Sequence, residues 1–529
     1  MPSTVEIDRF QALQSQLRDR WCSIDEFDRR ELDIIVIPSL SLDRQELQKI
    51  KGVHHYEERL LFSLIRLRNP GTRLIYVTSQ PLNPLIVDYY LNLLPDVPYP
   101  DARDRLILFS TDDASTKPLT QKILERPRLI ERLRKAIRTD CAFMTCFNST
   151  QIEKELSLQL DLPLLALDPD LLRWGTKSGS REVFAEANVP HPDGCLEVWD
   201  AADLATATAE LWERQPNLKR MVVKLNEGFS GQGNALLKLD ALQSVAPERA
   251  STVERAEAIA HAFEHLSFQC DTETWAHFSS RIPDLGAIVE AFIEGEEKRS
   301  PSVQGRISPM GDVEILSTHD QILGGPDGQI FLGCSFPADD SYRQQLQEYG
   351  LAVGKVLAAK GVIERYSVDF MAVRSSNHDS WNLQAIEINI RKGGTTHPHM
   401  TLKLLTGGHY DRQSGCFLNQ RGEAKYYVAT DNLQSDRYIG LLPNDLMEIV
   451  ARHRLHFSRS SETGSVFHIM GCLSEYGKLG LLSIGNSPEE ADTIYKHVIQ
   501  VLDDETQMHT QHPFHPVYLS STHSSTHGD

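Results

Sequence analysis

In AIEINIRKGGTTHPHM (385–400), Glu387, Asn389 and Arg391 alternate with Ile386, Ile388 and Ile390. Period-two alternation predicts a strand with the acid, the amide and the guanidinium on one face. A strand with an ordinary solvated face fits the same pattern. The preceding apolar run, YSVDFMAV (366–373), carries Asp369 between Val368 and Phe370. A carboxylate in such a strand is costly to bury unless it is paired or bound to a metal. RSSNHDSWN between the two runs reads as a hairpin loop, so an antiparallel pair would set Asp369 near Glu387 and Asn389. Two carboxylates and an amide oxygen are hard ligands that suit Mg²⁺. Arg391 faces the same way and offers a planar cation for a phosphate or carboxylate, whereas Lys392 points to the other face. Gly393 and Gly394 would let the backbone approach a ligand, and the HPH that follows (His397, His399) reads as a loop.

A second constellation is MVVKLNEGFSGQGNALL (221–237). Lys224 ends a β-branched strand, and a loop with Gly228, Gly231 and Gly233 follows. Glycines let backbone N–H groups come close to an anion, and Ser230 adds a hydroxyl. A plain hairpin with a glycine-rich turn is the alternative, and no GxxxxGK[ST] is present. In AIVEAFIEGEEKRSPSVQ (287–304), Glu290 interrupts an apolar strand. Its carboxylate could accept from a nucleotide amine or ribose hydroxyls, or simply mark an exposed strand end.

The elements that must hold these residues follow from the pattern. Residues 1–30 contain an exposed charged helix. Between 31 and 150, apolar strands (DIIVIPSL, RLIYVTSQ, RLILFST, CAFMTCF) alternate with helical stretches, which implies a parallel sheet covered on both faces, a Rossmann-like layer sandwich. It has no GxGxxG after its first strand, which argues against dinucleotide binding. A second unit spans 151–408, and a smaller α+β unit spans 409–505. The His-, Ser- and Thr-rich stretch 506–529 is expected to be a disordered tail.

The 529 residues are too many for one core. The net charge of −19 repels nucleic acid and anionic lipid, so neither is expected as a partner. The eight cysteines include no CxxC pair, and reduced thiols in a cytoplasmic protein are the simplest expectation. The first 21 residues lack the pattern of a signal peptide, and no apolar run approaches a membrane span.

A strand lysine, a small glycine-rich loop, a Val-Glu-x-Phe-Ile segment, an aspartate strand and a Glu-x-Asn-x-Arg strand occur here in that order. Together they resemble the ATP-grasp family, in particular its pheganomycin-type peptide ligases. RSPSVQGRISPMGDVEILSTHDQILGG (299–325), AIEINIRKGGTTHP and YVATDNL (427–433) carry the same resemblance. It implies a Rossmann-like pre-ATP-grasp domain, an ATP-grasp domain and a small α+β C-terminal domain. It further implies Lys177 and Lys224 as ATP lysines and a lid that includes Ser230, Gly231, Gln232 and Gly233. Glu290, Ala291 and Phe292 would form the adenine hinge, either Glu296 or Glu297 would hold the ribose, and Gln321 would lie near the nucleotide. Asp369, Glu387 and Asn389 would hold two Mg²⁺, with Mn²⁺ an alternative, and Arg391 and Lys224 would be catalytic.

The activity so implied is ATP-dependent joining of a small carboxylic acid to an amine, an amino acid or short peptide. It would run through an acyl phosphate and release ADP and phosphate; a homodimer would be in keeping with the family. A small-molecule kinase on the same fold and a nucleotide-sensing binding protein are the competing readings.

Overall fold

Runs of β-branched and apolar residues separated by amphipathic helices build three sheets. The computed structural model describes residues 4–25, 31–42, 44–227, 233–268, 273–324, 330–376 and 380–511. The first sheet is parallel, in the order Leu106–Ser110, Thr72–Thr78, Leu32–Ile37, Ala142–Cys146. Both faces are covered, so its central strand Leu32–Ile37 is buried throughout. Helix Pro84–Leu93 starts where Asn83 Oδ1 accepts from Leu85 N at 3.0 Å and Pro84 supplies a preset φ.

The second sheet is antiparallel, in the order Ser267–Phe268, Asn234–Lys238, Arg220–Leu225, Ala287–Ala291. Helices Ala201–Arg214 and Thr252–Ala262 pack on it through Leu204, Leu211, Trp212 and Ile259. The third sheet has eleven strands. Its main path begins Asn382–Asn389, Glu364–Arg374, Pro301–Ile307, Val313–Gly324, Ile330–Phe336, Ala424–Gln434. Helix Arg343–Ala359 covers it through Leu346, Val353 and Leu357.

Two expectations change. The third sheet runs unbroken from the ATP-grasp strands into the C-terminal unit, because Ile330–Phe336 pairs antiparallel with Ala424–Gln434. One apolar core also joins Ile34 and Tyr76 of the first unit to Phe467, Leu479 and Leu481 of the last. Residue 408 is therefore a boundary in the chain but not in the packing. At the end, helix Pro488–Gln511 extends six residues into the stretch expected to be a tail, and 512–529 lie outside the described residues.

Among the described residues, no helix is long and apolar enough to cross a membrane. The cysteines for which the pairing state is described, from Cys141 to Cys472, are free thiols.

Candidate active site

The strands of the opening motif pair as their spacing predicts. Asp369 lies directly opposite Glu387, and Ser367 opposite Asn389; a register shift beyond Asp369 then sets Phe370 against Ala385. The polar groups form a chain. Gln321 Nε2 donates to Asp369 Oδ1 at 2.7 Å, and Asn389 Nδ2 donates to Asp369 Oδ2 at 3.0 Å. Arg391 Nη2 in turn donates to Asn389 Oδ1 at 2.9 Å. Burial, with the Glu387 charge added to it, pushes the Asp369 carboxyl up to about 7, and Arg391, Gln321 and Asn389 only partly oppose that. A buried carboxylate facing a second, partly exposed one is a place where a cation is stabilising.

Two lysines enter from the neighbouring elements. Lys177 is the first residue of helix Lys177–Glu186, whose cap Thr176 accepts from Gly179 N at 3.1 Å. Its ammonium lies 3.8 Å from Glu387 Oε1, and burial lowers its pKa. Asn226, two residues past Lys224, ties this helix start to the second sheet. Its backbone carbonyl accepts from Lys177 N at 3.2 Å and its Oδ1 from Ser178 N at 2.8 Å. Lys224 is buried against Glu290 in a direct ion pair, and Arg181 reaches the other Glu290 oxygen at 3.2 Å. Burial alone would raise the Glu290 pKa; Lys224 and Arg181 outweigh it and hold the carboxyl below its ordinary value.

Asp369, Glu387, Asn389, Arg391, Lys177 and Lys224 line one cavity of about 2270 Å³. Small-molecule sites usually measure about 300–1,000 Å³, so there is room for more than one small molecule at once. The cavity lies where all three units meet. Arg59 and Phe147 come from the first, Lys224 and Asp369 from the middle, Asp431 and Lys478 from the last.

Several expectations are corrected by the geometry. The Glu290 carboxylate serves first to hold its neighbours, because Lys224 and Arg181 each take one of its oxygens. In the expected hinge, Ala291 N donates to Asp193 O at 2.8 Å and Phe292 N to Arg220 O at 3.2 Å. Those two donors are committed, which leaves the segment's carbonyls and the adjoining Ile293. The Phe292 ring is itself held between Arg220, at 3.9 Å, and Lys298, at 4.1 Å.

Neither Glu296 nor Glu297 is among the residues that line the cavity. Glu297 pairs with Arg374 at 2.5 Å, because their strands place the two opposite each other. Of the expected lid, Ser230, Gly231 and Gln232 lie outside the described residues; Gly233 accepts from Leu225 N at 2.9 Å and closes the hairpin.

His397 and His399 lie not in a loop but in helix Thr396–Thr406, where Pro398 falls in the first turn and no intrahelical N–H is lost. Both rings are buried, and burial pushes both well below the ordinary histidine pKa. Lys392 does face away, donating to Cys146 O at 2.7 Å. At Gly394 a Cβ would come within 2.8 Å of the Phe331 ring, so this glycine serves packing, whereas Gly393 opens on the cavity.

Sequence reasoning did not single out Arg181, Asn226, Arg59 or Lys478. Each meets its neighbours from segments tens to hundreds of residues away, and of the charged groups around the cavity Asp431 sits in the stretch YVATDNL.

The order of sheets, with the cavity between an antiparallel lysine sheet and a carboxylate-bearing sheet, is the layout of the ATP-grasp fold. The comparisons agree: residues 171–413 match the family described as IQCH-like, ATP-grasp, and residues 445–498 match the PGM1 C-terminal domain. The chain has the ATP-grasp fold, with a Rossmann-like sheet before the grasp and an α+β unit after it.

Over 474 residues it is 28% identical to the L-propargylglycine–L-glutamate ligase of Streptantibioticus cattleyicolor, covering 88% of this chain and 93% of that protein. It is 23% identical over 422 residues to IQ motif-containing protein H of Danio rerio, covering 73% of this chain and 40% of that protein. Among solved structures, the Campylobacter jejuni biotin carboxylase complex superposes with a TM-score of 0.54 at 12% identity, covering 92% and 96% of the two chains.

Proposed function

We propose that this protein is an ATP-dependent carboxylate–amine ligase that forms an amide bond through an acyl phosphate and releases ADP and phosphate. The observation that carries this reading is the linked set Asp369, Glu387, Asn389 and Arg391. It lies in a cavity that also receives Lys177 and Lys224 and is larger than a nucleotide alone requires. The ligase that matches most of the chain supports it.

The donor set fits a divalent cation. Asp369 and Glu387 face each other, and Asn389 Oδ1 lies beside them once it exchanges its bond from Arg391. The third protein ligand is then the Asn389 amide, whose Nδ2 already bonds Asp369. In this reading Asp369, Glu387 and Asn389 hold Mg²⁺, two ions or their Mn²⁺ equivalents, which neutralise phosphate charge when bound.

The chain's own residues do the rest. Lys177 and Lys224 carry positive charge to the phosphates. Glu290, clamped by Arg181, fixes the position of Lys224. The substrate carboxylate attacks the γ-phosphorus and ADP departs; Arg391 offsets the negative charge that develops on the acyl phosphate. The amine then attacks the acyl carbon, phosphate leaves, and the amine loses a proton. Positioning dominates such a reaction, since reacting groups held in place contribute roughly 7–11 kcal/mol. The substrates in this reading are a small carboxylic acid and an amino acid or short peptide.

The test is ADP release across a panel of amino acids and short peptides, with mass spectrometry of the products. ADP and phosphate should form only when an acid and an amine are both present. A stable phosphorylated product without an amine requirement, or AMP in place of ADP, would overturn the reading.

A further inference from the structure

At the end of the cavity beyond Arg391, three charged groups converge from distant parts of the chain. Arg59 comes from the helical stretch Val53–Arg68, Asp431 from strand Ala424–Gln434 and Lys478 from strand Lys478–Gly485; all three line the cavity. The Ala424–Gln434 strand slips register against its neighbour between Thr430 and Leu433, which takes Asp431 and Asn432 out of the ladder. Thr430 Oγ1 accepts from Asn432 N at 3.0 Å and fixes the bulge. Bulges of this kind re-aim side chains next to sites.

Arg59 Nη1 reaches Asp431 Oδ2 at 3.2 Å, while Asp431 Oδ1 takes no hydrogen bond among the described residues. Lys478 is only 7% exposed. Even so, its ammonium has no hydrogen-bond or ion-pair partner among the described residues, and its recorded contact is the Tyr56 ring at 4.9 Å. The Arg59 guanidinium stacks on the same ring at 4.5 Å and on Phe147 at 4.4 Å, and its buried Nε is unpartnered. The residue is mostly buried, yet it lines the cavity beside the Asp431 charge, so its ammonium is placed to meet an anion bound there.

We infer that Lys478, Arg59 and Asp431 form the subsite for an α-amino acid head group, with the cations taking the carboxylate and Asp431 the ammonium. The inference rests on the ligase reading only for what happens next to the bound amino acid. Binding at the subsite does not depend on turnover. Two cations against one anion leave room for one carboxylate, and Asp431 Oδ1 leaves room for one N–H donor. Tyr56 and Phe147 hold the cations in place by their ring faces. YVATDNL thus acquires a role: its Thr sets the bulge and its Asp and Asn face the substrate.

The test is calorimetric titration of the twenty L-amino acids into the full chain with Mg²⁺ and a non-hydrolysable ATP analogue. Each binder is compared with its carboxamide and with the matching 2-hydroxy acid. The wild-type protein should bind at least one amino acid and bind both derivatives at least tenfold more weakly. Lys478→Met keeps the stem on Tyr56 and should abolish the preference over the carboxamide; Asp431→Asn should abolish the preference over the hydroxy acid.

Wild-type protein that binds none of the twenty would overturn the inference. So would variants that keep both preferences, or variants that both lose MgADP binding, which would make the cluster structural. Mass spectrometry after adding ATP and a second substrate shows whether this amino acid supplies the amine or the carboxylate. Binding without any ADP formation would remove the ligase reading and leave the subsite standing.

Discussion

Asp369 and Glu387 face each other across paired strands, and the Glu387 charge opposes ionisation of Asp369. Each can be neutralised without changing shape. Asp369→Asn and Glu387→Gln should each lower turnover on the order of 10²–10³-fold, the scale on which single electrostatic contacts act in catalysis. Glu387→Gln should leave the melting temperature nearly unchanged, whereas Asp369→Asn gives up one of the two bonds accepted from Gln321 and Asn389 and should lower it modestly. Near-normal turnover in either variant, measured by ADP release, would remove the metal assignment.

Arg181 is a different case, since it reaches the site only through Glu290. Arg181→Met takes away one of two cations on that buried carboxylate and leaves Lys224 less firmly placed. A hydrogen bond to a charged group is worth about 1.5–3 kcal/mol, and because Lys224 still holds the carboxylate only part of that is passed on to ATP binding. The expected result is therefore an ATP KM raised roughly fivefold with kcat nearly unchanged. A fall in kcat with KM constant would show that Arg181 acts on the chemistry instead.

At the scale of elements, the strand pair that carries the carboxylates was legible because its period of two and the polar loop between its strands are local facts. The parallel sheet of the first unit was legible for the same reason. What escaped was whatever depends on two distant segments meeting. Asn226 illustrates this: in the sequence it is one polar residue after MVVKL, and in the fold it holds the start of the Lys177 helix through two bonds. The HPH stretch escaped in the opposite direction, since a proline that reads as a breaker sits comfortably in the first turn of a helix. Glu290 was placed in the right strand, but its partners Lys224 and Arg181 decided where its charge went.

Asn226→Ala tests the clip. Losing a cap-type acceptor for Ser178 N costs about 1 kcal/mol. Because that bond sets Lys177 beside Glu387, the loss should appear in ATP binding as well as in stability. Titration of MgADP should show affinity reduced several-fold, alongside a modest fall in melting temperature. Unchanged affinity at a lowered melting temperature would mean that the helix start is held by other contacts.

The whole molecule behaves as one body because its outer units share a core. Leu479 and Leu481 of the last unit pack in the same cluster as Ile34 and Tyr76 of the first, and strand Ile330–Phe336 finds its outer partner in Ala424–Gln434. A chain ended at residue 408 would expose that strand's edge and leave half of the joint core without its other half. Unpaired edges and large apolar faces lead to aggregation. It would also lose Asp431 and Lys478, so the cavity would lack its far wall.

We therefore expect the 1–408 chain to be insoluble or aggregated on size exclusion and to show no thermal shift with MgADP. The full chain should unfold in one transition that MgADP raises, by about 2.7 kcal/mol at a hundredfold excess over Kd. In the full chain Leu481→Ala, a cavity in the shared core, should lower that single transition by about 2–5 kcal/mol rather than split it. A soluble, MgADP-binding 1–408 fragment, or two separate transitions in Leu481→Ala, would show that the C-terminal unit is an independent domain set beside the grasp rather than part of its frame.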